Sequence, residues 1–196
     1  MGVAMALSHH HLQVAASLCL QVYSRPDDWL VYTEGFTQWI AIEGSDTAAD
    51  WRRNLEFLIT STDEHLGFGS YARELMTQMW ANHVNLDPNK TTILCGHSLG
   101  GAVATVMAAQ LQDQLPLLEL VTFGSPRPGG RKFAERLRVP HHRYVHEDDV
   151  VPHMPLWAAG FRHTCPAIQL EPWSPLHVLH GVKDHDMNAY RLLING

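Results

Sequence analysis

The chain has 196 residues and a mass of 22.0 kDa, room for one domain core and little more. Hydrophobic residues make up 45% of it and charged residues 17%, which excludes a disordered, charge-solvated chain. Lysine and arginine number 14 against 20 carboxylates, so the net charge is −6 at pH 7 and, with no basic run, no nucleic-acid partner is expected.

Leu12, Ala16, Cys19 and Tyr23 recur at helical spacing and predict an amphipathic helix over 8–23, with His9-His10-His11 as its exposed start. The first basic residue is Arg25, so the pattern of a secretory signal is missing and a cytoplasmic location is the expectation. No run of about 18 apolar residues occurs, so no membrane-spanning helix is expected. Residues 29–32 and 38–42 read as strands joined through Thr33-Glu34-Gly35, followed by a helix over 49–58. Phe68, Tyr71, Leu75, Met79 and Val84 form a stripe that predicts a helix over 67–84, closed by Asp87-Pro88-Asn89. A short buried strand over 91–95 leads into a helix over 98–112. A strand over 118–123, a helix over 129–138, strands over 143–146 and 167–170 and a helix over 184–194 complete the chain. Strands alternating with helices predict one α/β domain over 1–196, its central sheet mostly parallel and flanked by helices. Ligands in such sheets sit at the carboxyl ends of the strands, so functional residues are expected there.

Cys19, Cys95 and Cys165 are an odd set without C-x-x-C spacing. This argues against a disulfide framework and a zinc–cysteine site, and fits a reducing compartment.

The sharpest motif is Gly96-His97-Ser98-Leu99-Gly100, a G-x-S-x-G between a predicted strand and a predicted helix. A serine at such a turn projects its hydroxyl above the sheet edge, and the glycines leave room for the chain to fold back. The helix N-terminus beside it offers N–H groups and partial positive charge to an oxyanion. Cys95 sits on the strand and points to the core, which makes it a weak rival nucleophile.

A serine nucleophile needs a base, and the base an orienting acid, in the chain order Ser, acid, His. Glu147-Asp148-Asp149 follows a predicted strand. Asp149 ranks first and Asp148 second, and Glu147 faces solvent. His177, His180 and His185 are candidate bases, and residue type alone does not choose among them. His163 reads as a structural histidine. The three candidate bases lack the carboxylate or thiolate partners of a metal site, so no metal is expected.

These motifs together resemble the class 3 lipases, α/β-hydrolases related to fungal triacylglycerol lipases. Gly96-His97-Ser98-Leu99-Gly100-Gly101-Ala102 matches the family's nucleophile motif, and Val121-Thr122-Phe123-Gly124-Ser125-Pro126-Arg127 its next strand and turn. Asp149-Val150-Val151-Pro152-His153-Met154-Pro155 is similar to the segment that carries the family's acid, which favours Asp149. Asp184-His185-Asp186-Met187-Asn188-Ala189-Tyr190 is similar to a D-H-x-M-x-x-Y ending, which makes His185 the base. His65-Leu66-Gly67-Phe68 matches a family helix start.

The resemblance implies an α/β-hydrolase fold and a serine ester hydrolase acting on acylglycerol or other acyl esters. Its catalytic residues would be Ser98, Asp149 and His185, and its oxyanion donors Ser45 and Leu99, with no cofactor or metal. Phospholipase A1, feruloyl-type esterase or a non-catalytic hydrolase-fold binding module are the alternatives. Glu43-Gly44-Ser45 stands where the family commonly has Arg-Gly-Thr or Arg-Gly-Ser. The segment from Thr47 to Trp51 stands in place of the family lid and is short, which implies a more open site with weaker interfacial activation; transient contact with a lipid interface is a separate expectation.

Overall fold

The computed structural model describes residues 7–44, 64–146, 149–170 and 185–196. Ser8 caps helix α1 (His9–Gln21), its Oγ accepting the His11 N–H at 3.1 Å. The helix buries Ala15, Ala16, Leu18 and Cys19 along one side. Strand β1 (Trp29–Glu34) then folds back antiparallel onto β2 (Thr37–Ile42), with Glu34 opposite Thr37. Thr33 and Glu34 still pair across the hairpin, so the turn falls at Gly35-Phe36, later than the sequence suggested. Gly35 has φ +56°, a backbone that a Cβ resists. The helix expected over 49–58 lies outside the described residues.

Helix α2 (Leu66–Ala81) turns Phe68, Ala72, Leu75 and Met79 inward at alternating three- and four-residue steps. It stops short of 84 because His83 takes φ +60°. The Val84 and His83 N–H groups then close on the Met79 and Trp80 carbonyls, each at 3.0 Å. The remaining elements are β3 (Thr91–His97), α3 (Leu99–Leu111), β4 (Leu118–Phe123), β5 (Gly129–Gly130), α4 (Arg131–Arg136), β6 (His141–Val145), β7 (Phe161–Arg162), β8 (Ile168–Gln169) and α5 (Met187–Asn195). The helix expected over 129–138 is shorter, because Gly129 and Gly130 pair antiparallel with Arg162 and Phe161 instead.

The main sheet has the order β1-β2-β3-β4-β6-β8, and every pairing except β1 with β2 is parallel. Period-two alternation sends its side chains into two cores. Ile40, Ile42, Leu94 and Leu120 pack against α2 and α3. Trp39, Ala41, Ile93, Cys95, Val121 and Phe123 pack against α1 and α5. The result is a three-layer α/β fold, the expected mostly parallel sheet between helices. Cys19 and Cys95 are buried and unbridged. Among the described residues no helix is long and apolar enough to cross a membrane.

Candidate active site

Ser98 is the single residue between β3 and α3, held at φ 55° and ψ −129°. Such a backbone costs a non-glycine residue about 1–3 kcal/mol and persists only where its surroundings impose it. Here a Cβ on Gly96 would overlap the Gly100 carbonyl group, and one on Gly100 the Ile42 carbonyl, so the turn closes tightly over the end of β2. The Ser98 N–H donates to the Phe123 carbonyl at 3.0 Å, and its own carbonyl accepts the Gly101 N–H at 3.0 Å.

His185 stands above this turn. Its Nε2 lies 2.7 Å from Ser98 Oγ, and its Nδ1 lies 2.9 and 3.0 Å from the two carboxylate oxygens of Asp149. Asp149 is 0% exposed, beyond the carboxyl end of β6. Its carboxylate also accepts the Val151 N–H at 2.9 Å and the Tyr190 hydroxyl at 2.6 Å. Gly124, at φ +56°, makes this convergence possible: a Cβ there would come within 2.6 Å of Asp149 Oδ2 and 3.0 Å of His185 Nδ1. The Tyr190 hydroxyl in turn accepts the His146 N–H at 3.0 Å. Burial and the Asp149 charge push the Tyr190 phenol well above its ordinary pKa, so it remains a donor.

His97 forms a second support. Its Nε2 lies 2.8 Å from the His185 carbonyl and its Nδ1 2.9 Å from the Tyr23 hydroxyl. A carbonyl only accepts, so the proton sits on Nε2, and Nδ1 accepts from Tyr23. Burial, reinforced by His185, holds the pKa of His97 well below that of a free imidazole, so the ring stays neutral. The Tyr23 hydroxyl also sits where a Cβ on Gly44 would be, at the end of the segment leading to Ser45.

The structure thus brings together Ser98, Asp149 and His185. Leu99 opens α3, so its N–H belongs to the unpaired first turn of that helix. Ser45, Glu147, Asp148, His177, His180 and the segment from Thr47 to Trp51 lie outside the described residues. His163 bonds the Pro152 carbonyl at 2.7 Å, the structural use expected of it. Cys95 faces the core shared with α1, away from α3. Among the described residues no group of three or more His, Cys, Asp and Glu could hold a metal ion.

Sequence reasoning gave Tyr23, His97 and Tyr190 no part in the site's hydrogen bonding, although it placed Tyr23 in a helical stripe and Tyr190 in the family-like ending. Tyr190 carried a usable signal: it shares the buried face of α5 with Met187 and Ile194, and a buried tyrosine hydroxyl needs a partner.

The family described as Lipase (class 3) matches residues 39–159. The chain belongs to the class 3 lipase family. Relatives within and around it include the secreted mono- and diacylglycerol lipase 1 of Fusarium solani, 33% identical over 144 residues. That match covers 67% of this chain and 43% of the relative. The toxin TseL of Vibrio cholerae is 40% identical over 94 residues, 46% of this chain and 14% of the toxin. The chain therefore spans less than half the length of either relative. The solved triacylglyceride lipase of Rhizomucor miehei superposes with a TM-score of 0.64 at 22% identity, over 81% of this chain and 77% of that one. That likeness shows the α/β-hydrolase fold.

Proposed function

We propose that the chain is a serine carboxylic-ester hydrolase acting on acylglycerols or related acyl esters. One observation carries the reading: a single imidazole spans a strained serine at 2.7 Å and a buried carboxylate at 2.9 Å. Family membership and the mono- and diacylglycerol lipase relative support the acylglycerol class.

In this reading Ser98 Oγ attacks the ester carbonyl carbon while its proton passes to His185 Nε2. Asp149 holds the Nδ1–H and stabilises the imidazolium. The carbonyl electron pair moves onto oxygen, and the N–H groups of Leu99 and Ser45 receive that oxyanion. As the tetrahedral intermediate collapses, the bond to the alcohol breaks, and Nε2–H protonates the leaving alcohol. Water then attacks the acyl-serine by the same route, returns the proton to Ser98 and releases the acid. No step calls for a cofactor.

The test is hydrolysis of p-nitrophenyl esters from C2 to C16 by the wild-type protein and Ser98→Ala. Activity that vanishes in the variant, with an unchanged melting curve, is expected. Equal turnover by both proteins would end this reading.

A further inference from the structure

A short exposed turn follows Asp149 along the chain. Leu156 and Trp157 are 61% and 62% exposed, and the whole run Leu156-Trp157-Ala158-Ala159-Gly160 faces solvent. Exposed apolar loops of this kind are usually soft, but this one is braced. The Arg127 Nη1 donates to the carbonyls of His153 and Pro155, the second at 2.6 Å. The Arg162 Nη1 donates to the carbonyls of Trp157 and Phe161, both at 2.8 Å. The Arg162 guanidinium also lies 4.2 Å from the centre of the Trp157 ring, a cation–π stack.

Carbonyl partners orient a guanidinium but do not cancel its charge. Among the described residues no carboxylate pairs with Arg127 or Arg162, although the chain carries a net charge of −6. The two are near enough for Arg162 to add to burial in lowering the Arg127 pKa. Among the described residues their hydrogen bonds all leave from Nη1, which keeps Nε and Nη2 for another acceptor. A tryptophan and a leucine beside two uncompensated arginines match the chemistry of a bilayer interface, where an indole sits among headgroups and guanidinium groups meet phosphate. The turn is also on the side that matters. It connects β6 to β7, and β7 pairs with β5, which follows the carboxyl end of β4. Ser98 and Asp149 emerge at these same carboxyl ends.

We infer that the Leu156–Gly160 turn, with Arg127 and Arg162, is a docking site for an anionic phospholipid membrane. It seats the protein with its catalytic face toward the bilayer. The inference rests on the ester-hydrolase reading for the purpose of docking, and its test does not.

Binding is measured by co-sedimentation with vesicles, using Ser98→Ala protein so that no lipid is consumed. Vesicles of phosphatidylcholine with phosphatidylglycerol are compared with pure phosphatidylcholine. Binding to the anionic vesicles at least roughly tenfold tighter, and weakening with salt, is expected, since each arginine contributes about fivefold. Trp157→Ala and Leu156→Glu should each weaken it by roughly tenfold, and Arg162→Gln by about fivefold. Leu156 is mostly in solvent, so its variant keeps the fold even if Trp157→Ala melts early. In the catalytically intact background the same three variants should hydrolyse a soluble C4 ester at the wild-type rate. Equal binding to both vesicle types, or variants that bind as wild type, would overturn the inference. So would millimolar inorganic phosphate abolishing vesicle binding at constant ionic strength, which would assign the arginines to a free anion. Loss of the soluble-ester activity in these variants would place the turn in the catalytic machinery and overturn it as well. Vesicle binding by a protein that hydrolyses no ester would leave the docking site standing and end only the hydrolase reading.

Discussion

Two tyrosine hydroxyls hold the proposed base by separate routes. Tyr190 reaches it through the Asp149 carboxylate, and Tyr23 through His97 and the His185 carbonyl. Asp149 accepts from Tyr190, Val151 and His185, so Tyr190→Phe leaves a buried carboxylate short of a donor. Such a loss costs about 1–3 kcal/mol. A fall in kcat/KM of roughly tenfold to a hundredfold on p-nitrophenyl butyrate is the expected result, with a lower melting temperature. Asp149→Asn should cost about 10⁴ in kcat, because an amide cannot hold the imidazole in its working tautomer. The backbone at Ser98 makes a separate prediction for stability. With φ at 55°, Ser98→Gly relieves strain that Ser98→Ala retains, so the glycine variant should melt higher by about 1 kcal/mol of stability. Calorimetry on the two inactive proteins reads this directly.

At the scale of elements, what could be read from sequence depended on length and periodicity. Strand β4 falls at 118–123 as expected, because Leu118, Leu120, Val121 and Phe123 form an apolar run bounded by Pro116 and Gly124. Strands β5, β7 and β8 have two residues each, too few to show any period, and β7 went unread altogether. Of the site, Ser98 was legible from its motif between a predicted strand and a predicted helix, and Asp149 ranked first by its place after a strand, whereas His185 needed the family resemblance, since His177 and His180 competed with it. The last helix shows why boundaries carry function. It was expected from 184, but it begins at Met187, because the Asp186 carboxylate caps the Asn188 N–H at 2.9 Å. His185 is thereby left in the loop, where its ring can turn toward Ser98. Asp186→Ala should cost about 1 kcal/mol in a urea melt, and kcat should fall while KM holds, since the loss is one of positioning.

Over the whole molecule, the histidines set how stability responds to acid. Burial lowers the pKa of His65 to about 4, and it lowers those of His141 and His163 to about 3 with the help of Arg143. Among the described residues His65 has no hydrogen-bond partner for either ring nitrogen, and it stacks on Phe68 at 4.1 Å. All three are neutral in the native state and take up protons in the unfolded chain near about pH 6.5. Between that value and their native pKa values the unfolded state binds more protons. Stability therefore falls as pH drops, by roughly 1.4 kcal/mol per pH unit for each histidine. Urea melts at pH 7, 6 and 5 should show this slope. His65→Phe should flatten it by about one proton, and an unchanged slope would count against a neutral native His65.

Helix α5 joins α1 in one core, and it delivers Tyr190 to Asp149 just after His185 has reached Ser98. Both halves of the proposed proton path thus wait on a segment that comes off the ribosome after every described strand of the sheet. In the proposed mechanism a nascent chain with its sheet already formed would be chemically silent, and a protease cut ahead of Met187 would silence the folded protein. In that mechanism, synthesis through Tyr190 acts as the switch that arms the serine.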